Sequence, residues 1–317
     1  MGGFYNIDGK KFSRQYRDHL SEFKAWKQKP HAKQWLIFPE NIGAYLSIDE
    51  TALSKGELYT IITNKKAKGK KGCIVAIFAG TKVEPIVKQL LTISAKKRAA
   101  VKEITLDMAN SMKTIAKKCF PKAIQVTDRF HVQKLALEAL QDIRIKHRWH
   151  AIDLENDAIK IAKSANKTYK PQLFSKEDTR KQLLARSRYL LYKSPSNWTK
   201  NQYERSIILF NEYPDIKTAF GLVQGLRNIF NSAKSREIAY TKLAHWYKEV
   251  EQSGFRAFRT IANTITINYR SILNYFINRS TNASAESFNA KIKAFRSQFR
   301  GVKNIEFFLY RLTTIFA

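Results

Sequence analysis

The spacing of apolar and polar residues changes character twice along the chain. Residues 1–43 scatter Tyr5, Phe12, Tyr16, Phe23, Trp26 and Trp35 among basic residues without a sustained period, and read as a basic N-terminal arm. From residue 44 short apolar runs take over. "AYLSID" (44–49), "ELYTIIT" (57–63) and "CIVAIFA" (73–79) are rich in β-branched and aromatic residues and are separated by turn signals. They predict three strands in an antiparallel meander, the third nearly all apolar and therefore central. "KVEPIVKQLLTIS" (82–94) has helical spacing, with Pro85 tolerated in its first turn. "VKEITLD" (101–107) reads as a fourth strand, "NSMKTIAKKCF" (110–120) as a helix capped by Asn110 or Ser111, and "AIQVTD" (123–128) as a fifth strand. The order β-β-β-α-β-α-β makes strands four and five parallel through right-handed crossovers. The expected fold is α/β, a ribonuclease-H-like mixed five-stranded sheet.

After residue 128 the strand pattern gives way to helical periods. "VQKLALEALQDIRI", "TRKQLLARSRYLLY" and "SREIAYTKLAHWYKEVEQSG" are amphipathic, the last closed by glycine, and a helix break is expected at Pro214. Residues 129–280 thus form an all-helical segment, followed at 281–317 by a basic helix that opens "TNASAESFNAKIKAFR".

Charge then narrows the function. The chain has 317 residues, with 57 Lys plus Arg against 26 Asp plus Glu, a formal charge of +31. Such an excess attracts polyanions. No apolar span of membrane length and no secretory signal is present, so nucleic acid is the favoured partner over an acidic membrane, and a cytoplasmic location is expected. Cys73 and Cys119 are the two cysteines, and they give no disulfide framework and no CxxC zinc signature. His147 and His150 lack the preceding cysteine pair of a zinc finger, and no GxxxxGK[ST] phosphate loop occurs.

The candidate chemistry lies in carboxylates at element ends. Asp49 ends the first strand and Asp107 the fourth; if those strands are neighbours, the two acids meet at one sheet edge. Like charges held close need a compensating cation. Two divalent ions about 4 Å apart serve phosphoryl transfer, and magnesium takes carboxylate oxygens. Glu286 is the third candidate ligand. Each acid also has an ordinary reading: Asp49 and Asp107 as turn residues, Glu286 as a first-turn acid favoured by the helix dipole behind an Asn282 cap. Glu50 points to the opposite face by strand alternation. Asp128, followed by Arg129 and His131, fixes a turn, supports a ligand, or is itself a ligand; Asp107 ranks before it for its strand position. Asn282, Glu286, Asn289 and Lys293 share a helix face. Lys291, Lys293, Arg296 and Arg300, with the basic turn at 65–71, are the expected contacts to a nucleic-acid backbone. Trp149 and Trp246 read as core aromatics before they read as base-stacking residues.

Three stretches carry a family resemblance: "SIDETALSKGELYTIITN", "TLDMANSMKTIAKKCFPKAIQVTDRFHVQKLA" and "TNASAESFNAKIKAFRSQFRGVKNIEFFLYRL". Together they resemble the bacterial insertion-sequence DDE transposases of the ISL-three group, related to the Mutator-like superfamily, over residues 44–315. The resemblance implies a ribonuclease-H-like core interrupted by a helical insertion. It implies a DNA transposase that cleaves insertion-sequence ends and transfers a strand to target DNA. Asp49, Asp107 and Glu286 match the family's catalytic, metal-binding acids, and two Mg2+ ions, replaceable by Mn2+, would be the cofactor. Asp128, His131 and Asn289 stand beside that triad as supporting residues. It also implies double-stranded DNA with inverted-repeat ends, a homo-oligomer in the synapse, and a bacterial, nucleoid-associated setting. Longer members carry an N-terminal zinc-binding and helix-turn-helix region that residues 1–43 do not match. That departure leaves open a separately encoded end-recognition protein, a reduced form of end recognition by residues 1–40, or a decayed copy that only binds DNA. A nuclease of the same fold is a further alternative.

Overall fold

A computed structural model of the chain describes residues 8–53, 56–175, 177–298 and 304–317. These form two compact units: one runs to Asp128 and resumes at Arg279–Ala317, and the other is Arg129–Asn278.

The first unit is built on a mixed sheet. Its elements are α1 (Gly9–Gln15), β1 (Trp35–Ile37), β2 (Tyr45–Ala52), β3 (Leu58–Asn64), β4 (Ile74–Ala79), α2 (Val83–Leu90), α3 (Ala95–Ala99), β5 (Glu103–Leu106), α4 (Asn110–Cys119) and β6 (Ile124–Thr127). The strand order is β1-β4-β3-β2-β5-β6. β2, β3 and β4 form the expected antiparallel meander, and β5 pairs in parallel with β2 on one side and β6 on the other. The sheet has six strands rather than five. The sixth, Trp35–Ile37, is antiparallel to β4 at the edge. Three residues are too few to show a period of two, so only the pairing reveals the strand.

Two corrections concern the helices. The run 82–94 ends as a helix at Leu90, and Ser94 then accepts from the Lys97 backbone N–H to start α3. Asn110 is the first residue of α4 and not its cap; the cap position is Ala109, which has no side-chain capping bond, and the Asp107 carboxylate accepts the Ala109 N–H just before the helix.

Strand alternation sorts the side chains onto two faces. Leu46, Ile48, Ile62, Ile104 and Leu106 pack beneath α2 and α4 with Ile86, Leu90, Met112 and Ile115. Tyr59, Ile61 and Ile77 face the other way. There they meet Phe288 and Ile292 of a helix at Ala283–Gln298 and Phe308, Leu309 and Leu312 of another at Ile305–Phe316. The region read as an arm is packed into this unit: Phe23 is buried against Phe307 and Tyr310. On the second face β2 and β5 present polar residues, Ser47, Asp49, Glu103 and Thr105, instead of continuing the apolar layer.

The second unit is helical: α5 (Arg129–Ser164), α6 (Arg180–Arg186), α7 (Arg188–Tyr192), α8 (Lys200–Glu212), α9 (Pro214–Ser232), α10 (Arg236–Ser253), α11 (Arg256–Ile267) and α12 (Tyr269–Asn278). Local chemistry explains its boundaries. Thr179 and Thr199 close capping boxes with Gln182 and Gln202. Pro214 starts α9, and Gly254 ends α10 at φ 71°, where a side chain would be strained. Buried Asp178 is balanced by Arg186 and Arg205. Trp246 is a core residue whose Nε1 donates to the Leu222 carbonyl, but Trp149 is 60% exposed, against the expectation of burial. His147 Nε2 lies 2.5 Å from Asp215 Oδ2, which gives that histidine a partner other than zinc. The helices of the first unit that follow are α13 (Ala283–Gln298) and α14 (Ile305–Phe316).

Candidate active site

The parallel strands set the arrangement. Ser47 pairs with Thr105, and Leu106 pairs with Thr127. Continuing each register puts Asp49, Asp107 and Asp128 in one row; Asp107 and Asp128 follow the last residues of β5 and β6, whereas Asp49 lies within β2, which runs on to Ala52 instead of ending at the acid as expected. Neighbouring strands stand about 4.8 Å apart, so the row concentrates negative charge.

Each acid is oriented by hydrogen bonds. Asp49 Oδ1 accepts the Glu50 N–H at 2.9 Å, and its Oδ2 accepts Asn289 Nδ2 at 2.7 Å. Asp107 Oδ1 accepts the Ala109 N–H at 2.8 Å, which turns the chain into α4. Asp128 is buried, and its N–H donates to the Leu106 carbonyl at 3.0 Å. Burial and the charge of Asp107 hold the Glu50 carboxyl above its usual range, while burial lowers the Lys113 ammonium against the pull of Asp107.

Helix α13 carries the fourth acid to this row. Glu286 lies in its first turn, half-buried, with its N–H bonded to the Asn282 carbonyl at 2.8 Å. Two side-chain bonds dock the helix on β2: the Ser47 hydroxyl donates to Asn282 Oδ1, and Asn289 donates to Asp49. Carboxylate oxygens of Glu286 and Asp128 come within 4.8 Å of each other. Oxygens at that separation fit across one hard cation with metal–oxygen bonds of about 2.1–2.4 Å, and an all-carboxylate set suits magnesium or manganese. The thiols are not part of it: Cys73 and Cys119 are buried elsewhere in the sheet unit, and burial pushes Cys119 up to about 11.

The other residues singled out from sequence are distributed as follows. His131 is half-buried in the first turn of α5, in the helical unit. Lys293 is exposed. Lys291 Nζ donates to the Gly69 carbonyl at 3.3 Å, joining α13 to the basic β3–β4 turn. Arg296 is turned inward: it pairs with Glu57 at 3.1 Å and lies 5.0 Å over the Phe308 ring. Arg300 lies outside the described residues.

A buried polar layer below the acids escaped the sequence reading. Lys65 Nζ donates to Thr105 Oγ1 at 2.7 Å and stands 3.7 Å from Glu103. Burial lowers the Lys65 ammonium, and Glu103 and Asp128 oppose that shift. The signal was the alternation of Glu103 and Thr105 with Ile104 and Leu106, which puts polar residues on a buried face.

Comparison with known proteins identifies the family. The transposase for insertion sequence element IS1001 of Bordetella parapertussis is 23% identical over 275 residues, 86% of this chain and 61% of that protein. The transposase for insertion sequence element IS1557 of Mycobacterium tuberculosis is 29% identical over 153 residues, 46% of this chain and 32% of that protein. The chain therefore spans less than two thirds of the length of these relatives. A family model described as Transposase, that of the ISL-three DDE group, matches residues 46–312, and the chain belongs to this transposase family.

Proposed function

We propose that the protein cleaves DNA at the ends of an insertion sequence and joins the freed 3′-hydroxyl to target DNA, on a ribonuclease-H-like core formed by residues 44–128 and 281–317. In this reading residues 129–280 are an insertion, and Asp49, Asp107 and Glu286 hold two divalent ions, magnesium or manganese. The observation that carries it is the docking of α13 on the acid row through Asn289 and Asp49.

Bound divalent ions would lower the pKa of an attacking water and stabilise the leaving oxygen. The protein's part is to fix the carboxylates. Asn289 and the Glu50 N–H hold both Asp49 oxygens, the Ala109 N–H holds one oxygen of Asp107, and the first turn of α13 presents Glu286. Lys291 and Lys293 on the same helix would hold the DNA backbone. No protein nucleophile is required, because water and then the 3′-hydroxyl attack in line.

The closeness of Asp128 and Glu286 favours a second assignment within the same activity, with Asp128 as a direct ligand. DNA with inverted-repeat ends, target DNA, a homo-oligomeric synapse, a separate end-recognition protein and a nucleoid setting belong to the same proposal. Among the described residues no helix is long and apolar enough to cross a membrane.

The test is magnesium-dependent cleavage and strand transfer on the DNA flanking the gene, wild type against Glu286→Gln. Loss of both products with DNA binding retained is expected. Equal products from the two proteins would overturn the role of Glu286. Cleavage without joining would make the protein a nuclease, and binding without either product a DNA-binding copy only.

A further inference from the structure

The helical unit contains a convergence of like charges that its own acids do not balance. Gln141, Arg144 and Arg148 recur at helical spacing on α5, so their side chains share a face. Arg144 is buried and anchored: its Nε donates to Gln141 Oε1 at 2.7 Å and its Nη1 to the Leu184 carbonyl at 2.8 Å. Gln141 in turn donates to the Arg188 carbonyl at 3.3 Å, which brings the start of α7 against this face. Burial lowers the Arg144 guanidinium, and the charges of Arg148 and Arg188 lower it further.

Arg148 and Arg188 are exposed. The unit's ion pairs in this region go elsewhere: Glu155 to Lys181, Asp178 to Arg186 and Arg205, and Glu212 to Arg180. Among the described residues no carboxylate pairs with Arg148 or Arg188. The guanidinium of Arg188 lies 5.5 Å over the Tyr189 ring, and Tyr189 and Tyr192 are 66% and 39% exposed. Guanidiniums gathered without acids repel one another unless an anion lies between them. Guanidinium forks and phenol hydroxyls are also the donors that hold phosphate oxygens.

We propose that Arg148 and Arg188, braced by buried Arg144 and flanked by Tyr189 and Tyr192, form a phosphodiester-binding site through which the helical unit grips duplex DNA. The inference rests on the reading of DNA as the partner, but not on the catalytic assignment. The site contributes affinity without reading sequence, since its donors match backbone oxygens.

The experiment uses the full chain and a random-sequence 40-base-pair duplex, with affinity measured across a salt series. Each lost phosphate contact lowers the slope of log K against log salt by about 0.9. The double variant Arg148→Ala/Arg188→Ala should lose about two such steps, with an unchanged thermal melting temperature. Lys163→Ala/Lys167→Ala, which removes the same charge at and just beyond the far end of α5, should keep the wild-type slope. A double variant with the wild-type slope would overturn the site alone. Equal losses in both pairs would reduce it to general charge and overturn it as well. A wild-type chain with no salt-dependent binding would overturn the DNA reading itself. Binding is measured without divalent metal, which separates this result from any failure of the catalytic assignment.

Discussion

Asn289 Nδ2 donates to Asp49 Oδ2 at 2.7 Å, joining residues 240 positions apart in sequence. The bond fixes the rotation of α13 over the sheet: a neutral amide donor orients the Asp49 carboxylate and leaves its negative charge in the row. Partners that orient metal-binding carboxylates typically matter 10- to 100-fold for affinity or activity. Asn289→Ala is therefore expected to lower magnesium-dependent cleavage by about 10- to 100-fold and to raise the magnesium concentration for half-maximal rate. A magnesium titration of cleavage checks this, and an unchanged curve would contradict the orienting role.

The acid row predicts a division between Asp107 and Asp128. If Asp107 is a ligand and Asp128 only supports the site, Asp107→Asn should abolish cleavage and Asp128→Asn should reduce it. If Asp128 is a ligand with Glu286, its neighbour within 4.8 Å, the order reverses. Calorimetric titration of each variant with manganese reads the difference without depending on turnover.

Arg296 and Glu57 make a contrast between structure and binding. Their side chains are 10% and 12% exposed, and Arg296 also covers Phe308. Removing one member of a buried pair typically costs about 3–5 kcal/mol. Arg296→Ala should lower the melting temperature and leave the salt slope of DNA binding unchanged. Lys293→Ala, at an exposed position, should do the opposite. Melting curves and binding in a salt series decide both.

Phe288, one position before Asn289, joins α13 to the sheet. It is fully buried among Ile61, Ile77 and Phe308 and stacks edge-on with Phe316. Truncation of such a side chain costs about 3–5 kcal/mol. Phe288→Ala should destabilise the sheet unit by that amount in denaturant unfolding. A loss below about 1 kcal/mol would mean that α13 is not held by this cluster.

Cys119 gives a pH-dependent test. Burial raises its thiol from 9.0 to about 11, so the folded state favours the neutral form. Its contribution to stability is complete below pH 9 and is lost as pH rises through about 11. Thiol labelling of the folded protein at pH 8 should accordingly be slow at this position and become fast on unfolding. Cys119→Ala should weaken the alkaline fall in stability.

The strand order and the acids were legible for different reasons. The meander and β5–α4–β6 followed from apolar runs of strand length, and Asp49, Asp107, Asp128 and Glu286 stood out as candidate acids in a chain of charge +31, although β2 runs past Asp49 to Ala52. Pro214, Gly254 and the capping threonines marked helix ends through backbone chemistry that acts locally. The sixth strand was hidden because three residues have no period. The inward turn of Arg296, the Ser47–Asn282 bond, the Lys65–Thr105 layer and the exposure of Trp149 were hidden because each depends on a partner, or its absence, set by packing. Sequence by itself determined which residues could carry chemistry and which segments could form each element, since propensity and charge are local. Only the tertiary structure decided which of those residues meet, because β-sheet register and helix docking join positions that no local spacing relates.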